Sequence, residues 1–383
     1  MKLVVDENVP LADELFGAHA DLVRCAGRMI SKETLEGAQA LIVRSVTPVI
    51  ESLIANTTVE FVGSCTAGTD HIDTAFLNNT GIDWCYAPGC NARSVTEYVT
   101  SALAALNELE FGKRAGVVGC GNVGKAVYDE LSKLGMDVVA YDPFLDHGKE
   151  SRTLSTLDDA LASDIVCLHT PYTDSGRFPT NAMIGEAQLR LMKSGAILIS
   201  AGRGGVLDEK AMHLVAQERP DVRWVLDVWD KEPCIDTNSL KTAVIATPHV
   251  AGYSIEGKQN GSQQVYQRFC EHFGIAWDPR DSRDLGLDQA TLPKYDSIND
   301  MLLKIYDPRV DTETVKRAFM EATVAEKDSG SWFDELRRSY PSRRERSAYV
   351  FDGCGGSQAL REKVEDLGFV FVEEGDPRSN TIT

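Results

Sequence analysis

Four short motifs carry residue types that fit one chemical task. A glycine loop of the form GxGxxG runs from Gly119 to Gly124, and Arg203, Glu232 and His249 follow it in glycine- or proline-bounded stretches. Such a loop lets a pyrophosphate approach bare backbone at a helix N-terminus. An arginine binds carboxylates bidentately, an imidazole exchanges protons near neutral pH, and a carboxylate beside the imidazole stabilises its charged form. These types predict hydride transfer between a nicotinamide and a 2-hydroxy acid, with Arg203 as carboxylate anchor, His249 as base and Glu232 as its partner.

The residues around the glycine loop place it between a strand and a helix. An apolar run at Ala115–Val118 precedes the loop, an amphipathic segment follows it, and a second apolar run ends at Asp142. A carboxylate at that point accepts hydrogen bonds from an adenosine ribose, and no Arg or Lys follows directly to neutralise a 2′-phosphate. We therefore expect NAD rather than NADP. The alternative is a glycine turn in an unrelated α/β protein, which the position of Asp142 disfavours.

Short apolar runs alternate with helical patterns along most of the chain. This alternation predicts an α/β fold with two doubly wound parallel-sheet domains, a flavodoxin-like substrate domain and a Rossmann NAD domain. The predicted strands are Leu3–Val5, Ala40–Val43, Glu60–Val62 and Ile82–Cys85 in the first domain, and Ala115–Val118, Asp137–Tyr141, Ile165–His169, Ala196–Ser200, Trp224–Val228 and Val244–Ala246 in the second. Long helices are expected from Ser94 to about Glu110 and from Ser254 to about Phe273.

The predicted domains follow the chain in four segments. Residues 1–90 begin the substrate domain, 91–250 form the NAD-binding domain, and 251–278 return to the substrate domain. A polar stretch from Asp278 to Asp284 then leads into residues 285–383, which the two catalytic domains do not require. Apolar runs in this last segment must be buried, so we expect a small α+β domain that pairs with a second copy of itself in a homodimer.

The composition limits the classes of function. The chain has 383 residues, of which 43% are hydrophobic, and a net charge of −19. This charge argues against binding of nucleic acid or of an anionic membrane. No apolar run approaches the ~20 residues that span a bilayer, and a predicted strand begins at Leu3, so we expect a cytoplasmic protein. The nine cysteines form no CxxC pair, so we expect free thiols and neither a disulfide nor a metal site.

The motifs resemble those of the D-isomer-specific 2-hydroxyacid dehydrogenases over roughly residues 1–275. The resemblance implies that Arg203, Glu232 and His249 are catalytic, and that Asp227 approaches the nicotinamide carboxamide. The implied cofactor contacts are Gly119, Gly121, Asn122, Val123, Gly124, Asp142, Thr170, Ala201, Asp227 and Gly252.

Further stretches resemble one branch of that family, which acts on a four-carbon hydroxy acid with a terminal phosphate and carries a C-terminal dimerisation domain. These stretches are Leu3–Asn8, Val43–Thr47, Gly63–Asp73 and Gly252–Ser254. The resemblance implies substrate contacts at Ser45, Thr66 and Tyr253. Arg44 is a further donor beside Ser45, and Arg344, in the basic stretch from Arg337 to Arg346, is a candidate to reach the substrate phosphate across the dimer.

Two other functions remain open from the residues. The first is a reductase of glyoxylate, hydroxypyruvate or a similar small 2-oxo acid. Only the substrate pocket distinguishes such a reductase from a dehydrogenase of a phosphorylated four-carbon acid. The second is a nucleotide-sensing transcriptional corepressor of the same fold, in which the C-terminal segment binds a partner.

Overall fold

The computed structural model describes residues 1–109, 111–146, 148–277, 290–293, 295, 297–325, 330–351 and 358–371. The chain divides into two units. The first contains Met1–Asn91 and the described part of Tyr253–Asp288, and the second contains Ala92–Gly252 and the described part of Gln289–Thr383. The C-terminal residues thus fall in the same unit as the glycine loop, and the division into four segments stays a prediction.

The first unit is built on a parallel five-stranded sheet in the order β2-β1-β3-β4-β5. Its strands are β1 (Lys2–Asp6), β2 (Asp21–Cys25), β3 (Ala38–Val43), β4 (Phe61–Ser64) and β5 (Asp83–Tyr86), and its helices, numbered by their place in the chain, are α1 (Ala12–Phe16), α2 (Glu51–Ile54), α3 (Thr74–Thr80) and α10 (Ile255–Phe273). This flavodoxin-like order confirms the prediction. The sequence missed β2, an edge strand in which Asp21 and Arg24 are exposed and interrupt the apolar pattern.

Helix α10 covers one face of this sheet. Its Val265 and Phe269 are buried in one cluster with Leu3, Ile42 and Phe61 of the strands. Full burial of such side chains stabilises the fold by about 1.5–3 kcal/mol each. The loops that follow β3 and β4, which contain the predicted substrate contacts of this unit, therefore leave from a rigid sheet.

The second unit contains a parallel six-stranded sheet in the order β11-β10-β9-β8-β6-β7. Its strands are β6 (Arg114–Val118), β7 (Asp137–Tyr141), β8 (Ile165–Leu168), β9 (Ile197–Ser200), β10 (Arg223–Leu226) and β11 (Ile245–Ala246), and its helices are α4 (Ala92–Ala105), α5 (Asn122–Lys133), α6 (Leu157–Leu161), α7 (Glu186–Arg190), α8 (Glu209–Glu218) and α9 (Thr237–Thr242). A parallel bridge between Ala140 and Leu154 adds an outer neighbour to β7, which completes the predicted Rossmann order. The winding reverses between β6 and β8, which is where such sheets bind ligands.

One helix boundary differs from the prediction. Helix α4 ends at Ala105 rather than near Glu110, which lies outside the described residues. Asn107 has a φ of +56°, and this left-handed conformation is incompatible with a continuing helix.

The C-terminal residues form a third, three-stranded sheet in the order β12-β13-β14. Its strands are β12 (Ala290–Leu292), β13 (Tyr349–Phe351) and β14 (Val370–Phe371), and the helices of this region are α11 (Ile298–Ile305), α12 (Pro308–Val324), α13 (Ser331–Arg338) and α14 (Gln358–Asp366). The predicted C-terminal domain is present. Its strands are parallel with helices on their connections, whereas the sequence led us to expect the segregated elements of an α+β domain.

Polar contacts attach this C-terminal region to the Rossmann sheet and its helices. Thr312 of α12 accepts a hydrogen bond of 3.0 Å from the Ala246 N–H of the edge strand β11. Arg346 is 1% exposed and donates hydrogen bonds of 2.6 Å to Glu130 of α5 and to the Leu367 carbonyl. The region is therefore part of the same packed structure as the glycine loop.

No helix in the described part of the chain is both long and apolar enough to cross a membrane.

Removing Arg346 tests this attachment. The Arg346→Met variant leaves the Glu130 carboxylate buried without its cation, and we expect the free energy of unfolding in urea to fall by about 3–5 kcal/mol. The double variant with Glu130→Met should recover most of that loss, because no charge then remains buried. A loss of less than about 1 kcal/mol in the single variant, as an exposed pair would give, would contradict the buried ion pair.

Candidate active site

The glycine loop lies between β6 and α5, as the sequence predicts, and its three glycines meet different surroundings. A Cβ on Gly119, whose φ is +86°, would lie 2.7 Å from Thr170, and one on Gly124 would lie 1.9 Å from the Gly119 carbonyl oxygen. A Cβ on Gly121 would meet nothing within 4 Å. Gly119 and Gly124 therefore allow close backbone packing, and Gly121 leaves bare backbone beside an open space, which is the requirement for a pyrophosphate.

The first turn of α5 faces that space with polar backbone groups. Gly121 is the residue before the helix, and no described side chain caps its first N–H groups. Asn122 and Val123, two predicted cofactor contacts, form the start of this turn. Unpaired N–H groups at a helix N-terminus attract anions, so the loop fits a dinucleotide phosphate.

Asp142 stands directly after β7 and next to the glycine loop. Its Oδ2 accepts a hydrogen bond of 3.0 Å from the Cys120 N–H, and its Oδ1 accepts one of 3.0 Å from the Phe144 N–H. These bonds fix a partly exposed carboxylate where a ribose is expected. Cys120 itself is fully buried, and burial raises the pKa of its thiol to about 11, so it fills a tight turn as a neutral group.

The end of β8 adds two buried polar residues beside the loop. The Thr170 hydroxyl has no hydrogen-bond partner among the described residues. The two ring nitrogens of His169 also make no hydrogen bond of normal length and angle with these residues. Burial lowers the pKa of His169 to about 4, so this ring is neutral at physiological pH. Buried polar atoms normally have partners, and a dinucleotide at the glycine loop would offer them to these side chains. The sequence pointed to Thr170 and missed His169, although a histidine directly after a strand beside a glycine loop was visible.

Arg203 lies in the loop after β9, and close backbone contacts fix that loop. A Cβ on Gly202 would lie 3.0 Å from the Thr170 carbonyl oxygen, and one on Gly204 would lie 1.8 Å from the Trp229 carbonyl oxygen. Arg203 thus stands between the loop after β8, which includes Thr170, and the loop that leads to Glu232. The buried Ala201 begins the same loop.

Glu232 and His249 form the predicted pair. The Glu232 carboxylate lies 2.7 Å from Nδ1 of His249, and its other oxygen accepts a hydrogen bond of 2.9 Å from the Trp229 N–H. Burial alone would raise the pKa of Glu232, but the charge and hydrogen bond of His249, the Trp229 N–H and the charge of Arg337 lower it. Glu232 is therefore ionised, and it leaves Nε2 as the ring nitrogen of His249 that can take a proton.

Asp227 holds the loop that carries His249. One of its oxygens accepts hydrogen bonds from the Thr247 hydroxyl at 2.6 Å and the Val250 N–H at 2.8 Å, and the other accepts one from the Ala251 N–H at 3.0 Å. Its backbone carbonyl accepts the His249 N–H at 2.8 Å. The resemblance placed Asp227 at the nicotinamide; the contacts within the chain make it the anchor of the histidine loop.

Trp229 connects the loop that carries Glu232 to the loop that carries His249, a contact that the sequence did not predict. Its indole N–H donates to the Thr247 carbonyl at 2.9 Å, while its backbone N–H binds Glu232. The side chain is 1% exposed. The sequence shows only that a tryptophan lies between Asp227 and Glu232. A tryptophan at such a position is equally typical of the hydrophobic core.

The predicted substrate contacts of the first unit lie in loops after two neighbouring strands. Arg44 and Ser45 follow β3, and Arg44 donates to the Asn8 carbonyl at 3.2 Å. Thr66 follows β4, and its hydroxyl lies 2.7 Å from that of Ser64, which in turn lies 2.9 Å from Nε2 of His71. His71 therefore has a side-chain partner within the same unit.

Tyr253 precedes α10, and the Lys258 ammonium lies 4.8 Å from the centre of its ring. Gly252, the last residue of the Ala92–Gly252 segment of the second unit, comes directly before it.

The basic stretch near the C-terminus is used in different ways. Arg346 is buried against Glu130, Arg338 pairs with Glu335 at the surface, and Arg343 binds within its own chain. Arg344 is partly buried, and its contact with a substrate phosphate stays a prediction. No group of three or more His, Cys, Asp or Glu side chains that could hold a metal ion occurs among the described residues.

Comparison with known proteins identifies two matching family models. Residues 95–251 match the model described as D-isomer specific 2-hydroxyacid dehydrogenase, NAD binding domain. Residues 280–368 match a domain of unknown function.

Curated relatives match nearly the whole chain. Erythronate-4-phosphate dehydrogenase of Cellvibrio japonicus is 41% identical over 96% of this chain and 99% of its own. The protein of the same name from Pseudomonas syringae pv. tomato is 39% identical over 97% of this chain and 100% of its own.

Solved structures share the fold. D-lactate dehydrogenase from Aquifex aeolicus, complexed with NAD and lactic acid, has a TM-score of 0.59 and 23% identity over 72% of this chain and 96% of its own. NAD⁺-bound 3-phosphoglycerate dehydrogenase from Entamoeba histolytica has a TM-score of 0.61 and 23% identity over 72% of this chain and 95% of its own.

Replacing Asp142 tests the nucleotide site. In Asp142→Ala the ribose loses a charged acceptor, so we expect the Kd for NADH, measured by fluorescence titration, to rise about 10-fold or more. The preference for NADH over NADPH should narrow, because a 2′-phosphate is no longer repelled. Asp146→Ala, which removes an exposed carboxylate nearby, is the control and should bind NADH as the wild type does. An unchanged preference in Asp142→Ala would show that Asp142 does not face the ribose.

Proposed function

The chain belongs to the erythronate-4-phosphate dehydrogenase family, with the NAD-binding domain of the D-isomer specific 2-hydroxyacid dehydrogenases, and we propose that it oxidises 4-phospho-D-erythronate at C2. The products are 2-oxo-3-hydroxy-4-phosphobutanoate and NADH, and the reaction is a step of pyridoxal 5′-phosphate biosynthesis. The observation that carries this proposal is the Glu232–His249 pair, held at the carboxyl edge of a sheet whose glycine loop fits NAD.

The chemistry divides between the residues of that edge. NAD, held by the glycine loop and Asp142, would supply the acceptor for the hydride of C2. Nε2 of His249 takes the proton of the C2 hydroxyl, so that a carbonyl forms at C2. Arg203 binds the C1 carboxylate through its guanidinium and polarises the C2 oxygen. Glu232 stabilises the imidazolium that results from the proton transfer.

We propose the same cofactor contacts as the resemblance implies, for reasons that differ between residues. Gly121, Asn122 and Val123 offer backbone to the pyrophosphate, and Asp142 offers its carboxylate to the ribose. Thr170 has a buried hydroxyl that needs a partner. For Asp227, Ala201 and Gly252 the support comes from the family alone.

The proposed substrate contacts are Arg44, Ser45, Thr66 and Tyr253. All of them are hydrogen-bond donors, and a four-carbon acid with a terminal phosphate needs donors for both of its charged ends. The similarity over nearly the whole length to proteins named for this substrate favours it over glyoxylate or hydroxypyruvate, and over a corepressor.

Turnover of the named substrate tests the proposal. We expect the wild type to reduce NAD in the presence of 4-phospho-D-erythronate with a far higher kcat/KM than it shows in the reverse direction with glyoxylate or hydroxypyruvate. His249→Asn should bind NADH normally and lose about 10²-fold or more in kcat, because the general base is absent. Binding of NADH without turnover of any of these acids would support the corepressor instead.

A second prediction concerns the charge of Glu232. In Glu232→Gln the amide no longer stabilises the imidazolium of His249, so the ring stays neutral at lower pH. We expect the acid limb of the kcat/KM profile to move to lower pH by about one unit or more, with a lower maximal rate. Asp230→Asn, an exposed neighbour on the same loop, should leave the profile in place. Superimposable profiles of Glu232→Gln and the wild type would contradict the pairing.

We also propose a cytoplasmic homodimer built through the C-terminal region. Exposed apolar side chains on α12 support it: Met320 is 59% exposed and Val324 is 86% exposed, and residues four apart share one face of a helix. Such a pair gains from burial against a second copy.

Substitutions on that face test the dimer. Met320→Glu combined with Val324→Glu places charges on the proposed interface, and we expect a monomer by light scattering. Leu214→Glu, at an exposed apolar residue of α8, should leave the dimer intact. Truncation near Arg283, outside the described residues, is a less specific test because it also removes the buried Arg346 contacts.

If Arg344 reaches the phosphate across the dimer, Arg344→Ala and the monomeric variant should both raise the KM for 4-phosphoerythronate and spare NADH binding. A double variant that stays dimeric would contradict this interface.

A further inference from the structure

We propose that Arg343 of the C-terminal region is a positioning residue for His249. Its guanidinium holds the Ala251 carbonyl and thereby fixes the loop 247–251 in the conformation that presents the imidazole. The inference rests on the proposed function in so far as turnover is one of its two measurements.

The hydrogen bonds of Ala251 carry the inference. Nη2 of Arg343 donates to the Ala251 carbonyl oxygen and to the Ser94 hydroxyl. The Ser94 hydroxyl itself donates to the same carbonyl at 2.9 Å. In the preceding peptide group, the Ala251 N–H donates to Asp227. Ala251 is therefore held from both sides, two residues after His249.

This loop needs such support because His249 has a strained backbone. Its φ is +57°, in the left-handed region that a histidine rarely occupies. A residue in such a conformation costs about 1–3 kcal/mol and persists only where its surroundings over-determine it. Asp227 binds the N–H side of the loop, and Arg343 with Ser94 binds the carbonyl side.

Contacts within the C-terminal region orient the Arg343 guanidinium independently of Ala251. The guanidinium lies over the ring of Tyr306, with its carbon 4.4 Å from the ring centre. The hydroxyls of Tyr306 and Tyr340 each donate to Asp311 at 2.8 Å. Tyr306 is therefore fixed by α12, and it holds the arginine in a preset orientation, which lowers the entropy lost on binding the carbonyl.

Other residues of the same region contact the elements that lead into both catalytic loops. Thr312 binds the Ala246 N–H of β11, three residues before His249. At the start of α13, a Cβ on Gly330 would lie 2.7 Å from the ring of Pro233, next to Glu232. The C-terminal region thus contacts residues that flank Glu232 and His249 in its own chain, in addition to any role in assembly.

A matched pair of substitutions separates positioning from general stability. Arg343→Met removes the donor to Ala251. Lys316→Met is the control, because Lys316 of α12 also donates to a backbone carbonyl, that of Ala243 at 3.2 Å, but at the end of α9 rather than in the histidine loop. Arg343→Lys tests rescue, since an ammonium can reach one acceptor but lacks the guanidinium fork.

The first measurement is steady-state kinetics with NAD and 4-phospho-D-erythronate. We expect Arg343→Met to lower kcat by about 10- to 100-fold with little change in the KM for NAD, because a misplaced base slows the chemical step. Arg343→Lys should recover part of the loss, and Lys316→Met should keep the wild-type kcat. In the His249→Asn background, Arg343→Met should lower kcat by less than about 2-fold further, because it acts through the missing imidazole.

The second measurement needs no substrate. Amide hydrogen exchange of the peptide that contains residues 247–252 should be faster in Arg343→Met than in the wild type, and unchanged in Lys316→Met. If the wild type does not turn over 4-phosphoerythronate, only the proposed function is overturned. The exchange result still decides whether Arg343 positions the histidine loop. Wild-type exchange in Arg343→Met overturns the positioning role. Equal loss of kcat with and without His249, or an equal loss in Lys316→Met, also overturns it.

Discussion

One buried carboxylate, that of Asp227, determines the position of His249. It accepts hydrogen bonds from Thr247, Val250 and Ala251, so the loop folds around it and His249 is held in a left-handed conformation. Hydrogen bonds to a carboxylate contribute about 1.5–3 kcal/mol each, so the three bonds together exceed the ~1–3 kcal/mol that one strained residue costs. The carboxylate is 1% exposed, so water does not compete for these bonds.

The rest of the site follows from that constraint. With the loop in place, Nδ1 of His249 meets Glu232, and Trp229 binds both the Glu232 carboxylate and the Thr247 carbonyl. The glycine at 204 lets the Arg203 loop pack directly on Trp229. Arg203, Glu232 and His249 thus follow three neighbouring strands, β9, β10 and β11, and lie at one edge of the sheet. The nucleotide loop lies at the same edge, because all strands of the sheet are parallel.

The sequence predicted most of this arrangement because its signals are local. A GxGxxG loop between a strand and a helix, with Asp142 after the next strand, has one common structural meaning, and the Glu232–His249 contact followed from the residue types. The roles of Trp229 and Arg343 could not be predicted, because each depends on packing between distant segments. The edge strand β2 was missed because its exposed side chains interrupt the apolar pattern. The parallel C-terminal sheet was missed because β12 and β14 contribute only short strands.

The most direct test of the account follows the hydrogen at C2 of the substrate. 4-Phospho-D-erythronate deuterated at C2, incubated with NAD and the wild-type protein, should give NADH that carries one deuterium by mass spectrometry, with a 2-oxo acid as the other product. Deuterium that appears in water, or NADH that forms without the label, would contradict direct hydride transfer from C2 to the cofactor bound at this sheet edge.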